Sequence, residues 1–488
     1  MHPLVNLISL LGIVFLCFVA WLGSENRSYI PWKVMIWGIG LQMVVGLLVF
    51  VLPTRDAIAQ LNNLLNVILD ASEAGSRFLF TELFVPDPNE SPPGPGPAGR
   101  WIVRAVGVPY VAIPGDTIGP DNIETGYILA FRALPQVIFF SALVALLYRL
   151  NIIQPVVRGF AWIFERTMRI SGAESLSGAA NIFVGIESAI AVKPFLPDMT
   201  RSELCAILSS CFGSIASSVL ALYAGILRPT FPAITGHLVS ASIMTIPACF
   251  VMAKLLVPET DVPKTLGHIP EEKAEDEEEQ ESDEEDNGKA QKKQSNPIDS
   301  LILGALDGVK MAVGIAATII AILGLVALVN AFFDGLAGMA TNDNPVIQSI
   351  GQIFQHITIA NLLGMLFLPF TFFTGVSLDW QELWQASLLI GRRLFETSIP
   401  PYLKLAELSR TGGITDRTML VVSYTLCGFT HLASYGIFVG GLSGLIPSRR
   451  SEVASLGFKA LWAGTLATLM TGCVAGLFDF GNPAVLGK

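Results

Sequence analysis

The sequence predicts an all-α polytopic membrane protein, with about eight transmembrane helices plus two opposed re-entrant hairpins in an inverted repeat. Three observations predict it. The first is composition: of 488 residues, 14% are charged and 52% hydrophobic, and mean hydropathy is +0.58. Soluble domains carry about 25% charged residues, and only a bilayer rewards so much apolar surface. The second is a series of apolar runs, each about 20 residues or longer. The third is a pair of apolar segments broken by Gly or Pro, each holding a Glu and each followed by similar sequence.

The net charge of −10 is local. The block Glu271–Ala290 holds twelve acids and two lysines, and outside it 28 acids face 28 bases. The acidity therefore says nothing about a substrate. The six cysteines, Cys17, Cys205, Cys211, Cys249, Cys427 and Cys473, lie in apolar stretches without a CxxC pair. They are read as reduced core residues.

The spans run in order. Leu4–Leu22 lacks the basic start and A-x-A site of a cleaved signal, so it is the first membrane helix. Trp32–Leu52 is the second, and Ile128–Tyr148, interrupted by Pro135, the third. Cys205–Leu227, His237–Val257, Ala312–Phe333, Leu420–Leu445 and Leu456–Leu477 complete the series. Asn62–Phe84 carries Leu64, Leu65, Ile68 and Leu69 at helical spacing, which predicts an amphipathic helix at an interface or over the bundle.

Two apolar stretches fit no simple span. Ser171–Pro197 is broken by Gly172, Gly178, Gly185 and Pro194 around Glu187. Ala386–Leu405 holds Glu396, Pro400 and Pro401. Two short halves about a break predict a re-entrant hairpin, whose irregular tip is tolerable only where it lines a cavity. Two long connections remain. Pro86–Tyr127 is rich in Pro and Gly and reads as an extramembrane loop. Pro258–Pro297 contains the acidic block, and its lack of hydrophobic residues predicts a solvated, disordered linker.

Orientation follows from basic residues in short loops. Arg27 and Lys33, then Arg149, Arg158, Arg166 and Arg169, then Arg449 and Arg450 fall on one face by alternation. That face is predicted cytoplasmic, which places both termini outside.

The repeat is visible after each broken segment. Met199-Thr200-Arg201-Ser202-Glu203-Leu204 follows the first, and Ile414-Thr415-Asp416-Arg417 the second. Gly213 lies 13 residues after Thr200, and Gly428 13 after Thr415. The following spans are the fourth and the seventh, so they run in opposite directions. Opposed hairpins of this kind point to a secondary transporter whose site lies where the tips meet those spans.

Glu187 and Glu396 are the informative residues there. A carboxylate at membrane depth survives when it faces a polar cavity, binds a ligand or cation, or is protonated. Asn181, Ser214 and adjacent carbonyls offer the neutral oxygens that sodium prefers. His431 and Ser434, three apart, are expected to share one helical face, with Phe429 nearby for core packing or for stacking on a flat solute. No phosphate loop, HExxH, GxSxG or nucleic-acid patch is present in the sequence. That excludes ATP-driven pumping by this chain and leaves ion-coupled or facilitated transport.

These residues resemble the concentrative nucleoside transporters. The motifs are Ala179-Ala180-Asn181-Ile182-Phe183-Val184-Gly185, Lys193-Pro194-Phe195-Leu196, Met199 to Leu204, Leu426-Cys427-Gly428-Phe429, Gly440-Gly441-Leu442 and Pro447-Ser448-Arg449-Arg450. Ile30-Pro31-Trp32-Lys33 and Gly38-Ile39-Gly40-Leu41-Gln42 match as well. The resemblance covers nearly the whole chain apart from the two long loops. It implies a homotrimer in the cell membrane (the inner membrane of a bacterium), embedded in lipid, with a scaffold and a moving transport domain. Residues 1–148 and 299–345 become scaffold, with an extracytoplasmic loop at 86–127. Residues 149–257 become the first transport half, comprising an interfacial helix, hairpin and two helices. Residues 346–488 become the second, and 258–298 the linker.

The resemblance also implies Na+-coupled nucleoside uptake, with H+ as the alternative ion. The family sodium ligands match Asn181, Val184, Ser214 and Ile215. Substrate contacts match less closely. The family's Gly-Gln-Thr-Glu is here Gly185-Ile186-Glu187-Ser188, so Glu187 takes the acid position with a one-residue gap and Ser188 without it. The gap keeps Lys193-Pro194 in register. The second hairpin's Asn-Glu-Phe-Val-Ala-Tyr becomes Phe395-Glu396-Thr397-Ser398-Ile399-Pro400, which keeps the ribose-binding acid as Glu396 and loses the Asn. Phe429 and Ser434 match, and His431 stands for an Asn. The sequence thus predicts an Na+/nucleoside symporter with altered base-reading groups. A proton-coupled symporter using Glu187 or His431, and a non-transporting membrane sensor, are the alternatives.

Overall fold

The computed structural model describes residues 3–51, 55–85, 128–267, 296–341, 344–354 and 357–487. The 86–127 loop and the acidic block lie outside them. The described chain is helical, with no strand among those residues. Helices α1 (Pro3–Leu22) and α2 (Trp32–Phe50) match the first two predicted spans, and α3 (Arg55–Phe84) the predicted amphipathic segment. Then come α4 (Leu129–Arg149), α5 (Ile153–Met168) and α6 (Gly172–Ala180), and a 3-10 helix over Ile186–Asp198. The fourth predicted span is α7 (Arg201–Gly213) and α8 (Ser217–Leu227), followed by α9 (Ile234–Leu256). α10 (Pro297–Ala337), α11 (Pro345–Phe354), α12 (Ile359–Phe373), α13 (Trp380–Glu396) and α14 (Ile399–Arg410) lead to α15 (Asp416–Leu426), α16 (Leu432–Leu445) and α17 (Arg450–Phe478).

Among the described residues seven spans are long and apolar enough to cross a membrane, or eight if the bent pair α11–α12 is one span. Those seven coincide with seven of the eight predicted runs. The other, Leu420–Leu445, is corrected. It is two helices, α15 and α16, separated by a break at 427–431. The fourth span is likewise broken at 214–216. Hydropathy averaged over about 20 residues cannot see such short breaks, even though Ser214, Thr430 and His431 in them are polar.

Burial separates inner from outer spans. The α7–α8 window is 94% buried, whereas that of α10 is 11% buried. Exposed Leu306, Val313, Ile320, Leu328 and Phe332 on α10 are apolar, as a lipid- or protein-facing surface requires. α3 lies over the bundle against α4 and α9, held by Arg132–Glu73 (2.8 Å) and by the Thr235 hydroxyl on Asn66 (2.9 Å).

The two halves start at opposite ends. Arg201, at the start of α7, pairs with Glu25 of the α1–α2 loop (2.8 Å). Lys459 of α17 also binds Glu25. The hydrogen bond from Arg201, opposed by burial and aided by Lys459, lowers the Glu25 carboxyl from 4.5 to about 2. Arg417, at the start of α15, instead donates to Asn6 at the start of α1 (2.9 Å) and pairs with Asp479 after α17 (3.3 Å). α7 and α15 therefore run in opposite directions, as the repeat predicts. Asn6 donates to the carbonyls of Leu477 (3.2 Å) and Asp479 (3.0 Å), so the start of α1 and the end of α17 share one end of the bundle.

Candidate functional site

Each half builds its part of the site from the same pieces. Thr200 accepts from the Glu203 N–H (3.1 Å) to start α7, and Thr415 from the Thr418 N–H (3.3 Å) to start α15. N-caps of this kind fix where a helix begins. Each is tied to the base of its own hairpin. The Ser171 hydroxyl, which caps α6, donates to Glu203 (2.5 Å). Glu382 of α13 accepts from the N–H (2.5 Å) and hydroxyl (2.6 Å) of Thr415. The first base is reinforced by buried Lys254, which pairs with Glu174 (2.5 Å) and Glu259 (3.0 Å).

From these bases the hairpins converge on the two breaks. A Cβ on Gly428 would stand 2.7 Å from the Gly213 carbonyl oxygen, inside any real contact. The glycines that share a place in the two repeats thus bring the α7–α8 and α15–α16 breaks backbone to backbone. The first hairpin's break spans 181–185, and the second's is Thr397 and Ser398. Pro400 and Pro401 do not make that second break. They open α14, where a missing N–H costs nothing.

The predicted sodium ligands gather at the first break. Asn181 is fully buried at the end of α6. Its Oδ1 accepts from the Ser214 hydroxyl (3.0 Å), and its Nδ2 donates to Ser210 (3.2 Å) and Cys211 (3.4 Å). Ile215 is fully buried in the extended segment between α7 and α8, and Val184 is partly buried before the 3-10 helix. The Phe183 carbonyl is already taken, accepting from the N–H (3.0 Å) and hydroxyl (2.7 Å) of Ser217.

The predicted substrate residues lie at the second break and on the 3-10 helix. His431 corrects the expectation of a shared helical face. It is the N-cap of α16, and its Nδ1 accepts from the Ser434 N–H (3.2 Å). The Ser434 hydroxyl lies 3.0 Å from Nε2. The non-helical 427–431 segment also puts the Phe429 ring edge-on to His431 (6.1 Å), which a continuous helix would not do. The break is tied to the second hairpin by Ser398, whose hydroxyl donates to the carbonyls of Leu426 (3.2 Å) and Gly428 (3.1 Å). Glu396 ends α13 and is buried, but it is not free. Arg392 grips both its oxygens, with Nε at 3.1 and 2.9 Å and Nη2 at 2.8 Å. Glu187 is the second residue of the 3-10 helix, and its side chain lies outside the described ones. Ser188 is 1% exposed, and its hydroxyl has no hydrogen-bond partner among the described residues. Its helix packs on α7 and α16, the helices that border the two breaks.

Three functional candidates escaped the sequence reading. The buried hydroxyls of Thr397 and Thr430 also lack partners among the described residues. Such groups are costly unless a ligand or water completes them. Thr397 has φ 67°, a strained setting for a β-branched residue of the kind that collects at ligand sites. The third, Arg393, is 1% exposed and donates to the Thr425 carbonyl and to the Thr468 hydroxyl (3.1 Å). Adjacency was the only available signal, since Thr397 follows Glu396 and Thr430 lies between Phe429 and His431.

A site of neutral oxygens, buried hydroxyls and one aromatic ring, at helix breaks inside a bundle of apolar spans, suits binding and passage of a polar solute. Comparison with known proteins agrees. Three family models match: Na+ dependent nucleoside transporter C-terminus over residues 237–476, its N-terminus over 11–83, and the nucleoside recognition Gate over 130–230. An "Uncharacterized transporter" of Haemophilus influenzae is 31% identical over 96% of this chain and 97% of its own. A solved structure of CNTnw in an inward-facing substrate-bound state is 29% identical, covers 97% of this chain and 98% of its own, and gives a TM-score of 0.76. An outward-facing structure of a CNTnw variant is 30% identical, covers 98% of each chain and gives 0.78. The members of this family are transporters, not enzymes, and the chain belongs to it: it is a concentrative nucleoside transporter by family.

Proposed function

We propose that the protein is an Na+/nucleoside symporter working by elevator-type alternating access. The observation that carries the reading is the Asn181–Ser214 pair, whose two neutral oxygens stand 3.0 Å apart between the first hairpin and the α7–α8 break. Na+ would take both oxygens, with carbonyls of Val184 and Ile215, at the negative end of α7. It would order the first hairpin and raise solute affinity, and the solute must raise Na+ affinity by the same factor.

The solute would lie between the tips. Glu396, steadied by Arg392, retains acceptor positions for sugar hydroxyls. Ser188, Thr397 and Thr430 offer further hydroxyls, and Phe429 a face for the base. His431 with Ser434, and Glu187, would meet the base's polar edge. Both hairpins would enter the bilayer and turn back. Residues 149–257 and 346–488 would move as the transport domain against scaffold helices from 1–148 and 299–345. Three copies in a cell membrane, with extracytoplasmic termini, complete the proposal; exposed α10 is a surface available for that assembly.

The test is uptake of labelled uridine and adenosine into proteoliposomes under an Na+ gradient or, in Na+-free buffer, a pH gradient. Na+-driven uptake supports the reading. Uptake driven by pH alone moves the coupling to protons, and no nucleoside uptake removes the substrate.

A further inference from the structure

The buried charge at Arg393 has no role in the mechanism above. Among the described residues no carboxylate pairs with it; Arg392 alone holds Glu396. Its hydrogen bonds go to neutral oxygens, the Thr425 carbonyl and the Thr468 hydroxyl. An unpaired guanidinium in a membrane protein's interior is a functional candidate by default.

Its place in the repeat says what it does. Ser210 and Thr425 each lie ten residues after the capping threonine of their helix. In the first half the residue that reaches Ser210 from the hairpin is Asn181, which is neutral. In the second half the residue that reaches Thr425 from the hairpin is Arg393. Both helices end at a break beside these residues, and each end leaves carbonyls without helical partners and a partial negative charge. A cation satisfies both needs. The second hairpin is further fastened to α15 by Ser398 and by the Tyr402 hydroxyl on the Ser423 carbonyl (2.8 Å). The first is fastened to α7 and α8 by neutral groups, the Asn181 side chain and the Phe183 carbonyl on Ser217, with no cationic side chain at the equivalent position among the described residues.

We propose that Arg393 is a tethered cation that does in the second half what a mobile Na+ does in the first, so that the protein binds one Na+ per chain. The proposal rests on the sodium reading of Asn181. Arg393 is then a positioning residue: it holds the second hairpin on the α15 end at all Na+ concentrations, and only the first hairpin responds to the ion.

The test counts bound radiolabelled Na+ on the purified full-length protein in detergent, with no solute needed. The wild type should bind one Na+ per chain, and Asn181→Ala none. Arg393→Lys keeps the charge and should keep the count at one. Arg393→Gln supplies an oxygen and removes the charge, and should raise the count to two. Nucleoside uptake by the Gln variant should then rise with the second power of Na+ concentration, where the wild type rises with the first. A purely structural arginine would not change the ion count. Two Na+ per wild-type chain, or one in a folded Gln variant, overturns the proposal. Should the Gln variant not fold, Arg393→Thr, which also removes the charge and supplies an oxygen, is counted instead, with two Na+ supporting the proposal and one overturning it. If the wild type binds no Na+, the sodium reading fails, and the tethered cation stands only if the Gln variant gains one ion.

Discussion

Among the described residues the first hairpin meets its helix break only through neutral groups, the Asn181 amide and the Phe183 carbonyl on Ser217, whereas the second meets its break through a guanidinium, a hydroxyl and a phenol. The two halves share caps, breaks and the Gly213–Gly428 contact, so this difference is superimposed on a common frame. It teaches that inverted halves need not be equal partners. The half fastened at its break only through neutral groups is the one that an ion from solution can order, and the half that carries its own buried cation can hold its shape while it binds solute.

The largest effect should come from removing the shared frame. Gly428→Val places side-chain atoms into the Gly213 carbonyl, and overpacking of this kind costs about 1–3 kcal/mol or more. Loss of the folded protein's peak on size exclusion, with no uptake, is the expected outcome; normal uptake would mean the two breaks are not in contact.

Next is the half held by neutral groups. Asn181→Ala should raise the Na+ concentration for half-maximal uptake by about tenfold or more, an allosteric-scale change. The same substitution should leave uptake at saturating Na+ less affected. A flux titration against Na+ measures both. An unchanged Na+ dependence would erase the contrast between the halves.

The half held by the guanidinium should respond differently. Ser398→Ala removes one hydroxyl that serves two carbonyls, a loss of about 1–2 kcal/mol. We expect a rise of about tenfold in KM for nucleoside with the Na+ requirement unchanged. A shift in Na+ affinity of equal size would show that the second hairpin also senses the ion.

The smallest effect concerns Glu25, which links the α1–α2 loop to both halves through Arg201 and Lys459. Its carboxyl is lowered to about 2 in the folded protein. The contribution is therefore full above about pH 4.5 and fades as pH falls toward 2. The group is largely exposed, so the gain is small. The difference in melting temperature between wild type and Glu25→Gln should shrink from pH 6 to pH 3, and a difference that grew with acid would refute the pairing.

Much of the frame was legible in the sequence because its signals are local. Twenty-residue apolar runs located the spans, and the Thr200 and Thr415 caps located the repeat. The breaks at 214–216 and 427–431 were not legible, since an interruption this short, even with Ser214, Thr430 and His431 in it, barely moves the hydropathy of a whole span. That is why His431 and Ser434 were placed on a helical face and not at a cap. Asn181 and Ser214 were singled out from the sequence, by oxygen chemistry near a break and by family motif, and their side chains meet in the structure. Arg392 and Arg393 were not, because adjacent charges on one helix give no hint of which carboxylate or carbonyl each will meet. One grips Glu396 and the other reaches α15, a difference made by about 100° of helical rotation.

The central claim is that Na+ at the Asn181–Ser214 pair drives nucleoside movement, and Na+-gradient-driven uridine uptake into proteoliposomes tests it most directly. Uptake by the wild type that collapses when Na+ is replaced by choline, and falls about tenfold in Asn181→Ala, is the predicted result. Wild-type uptake that persists undiminished in choline would contradict it.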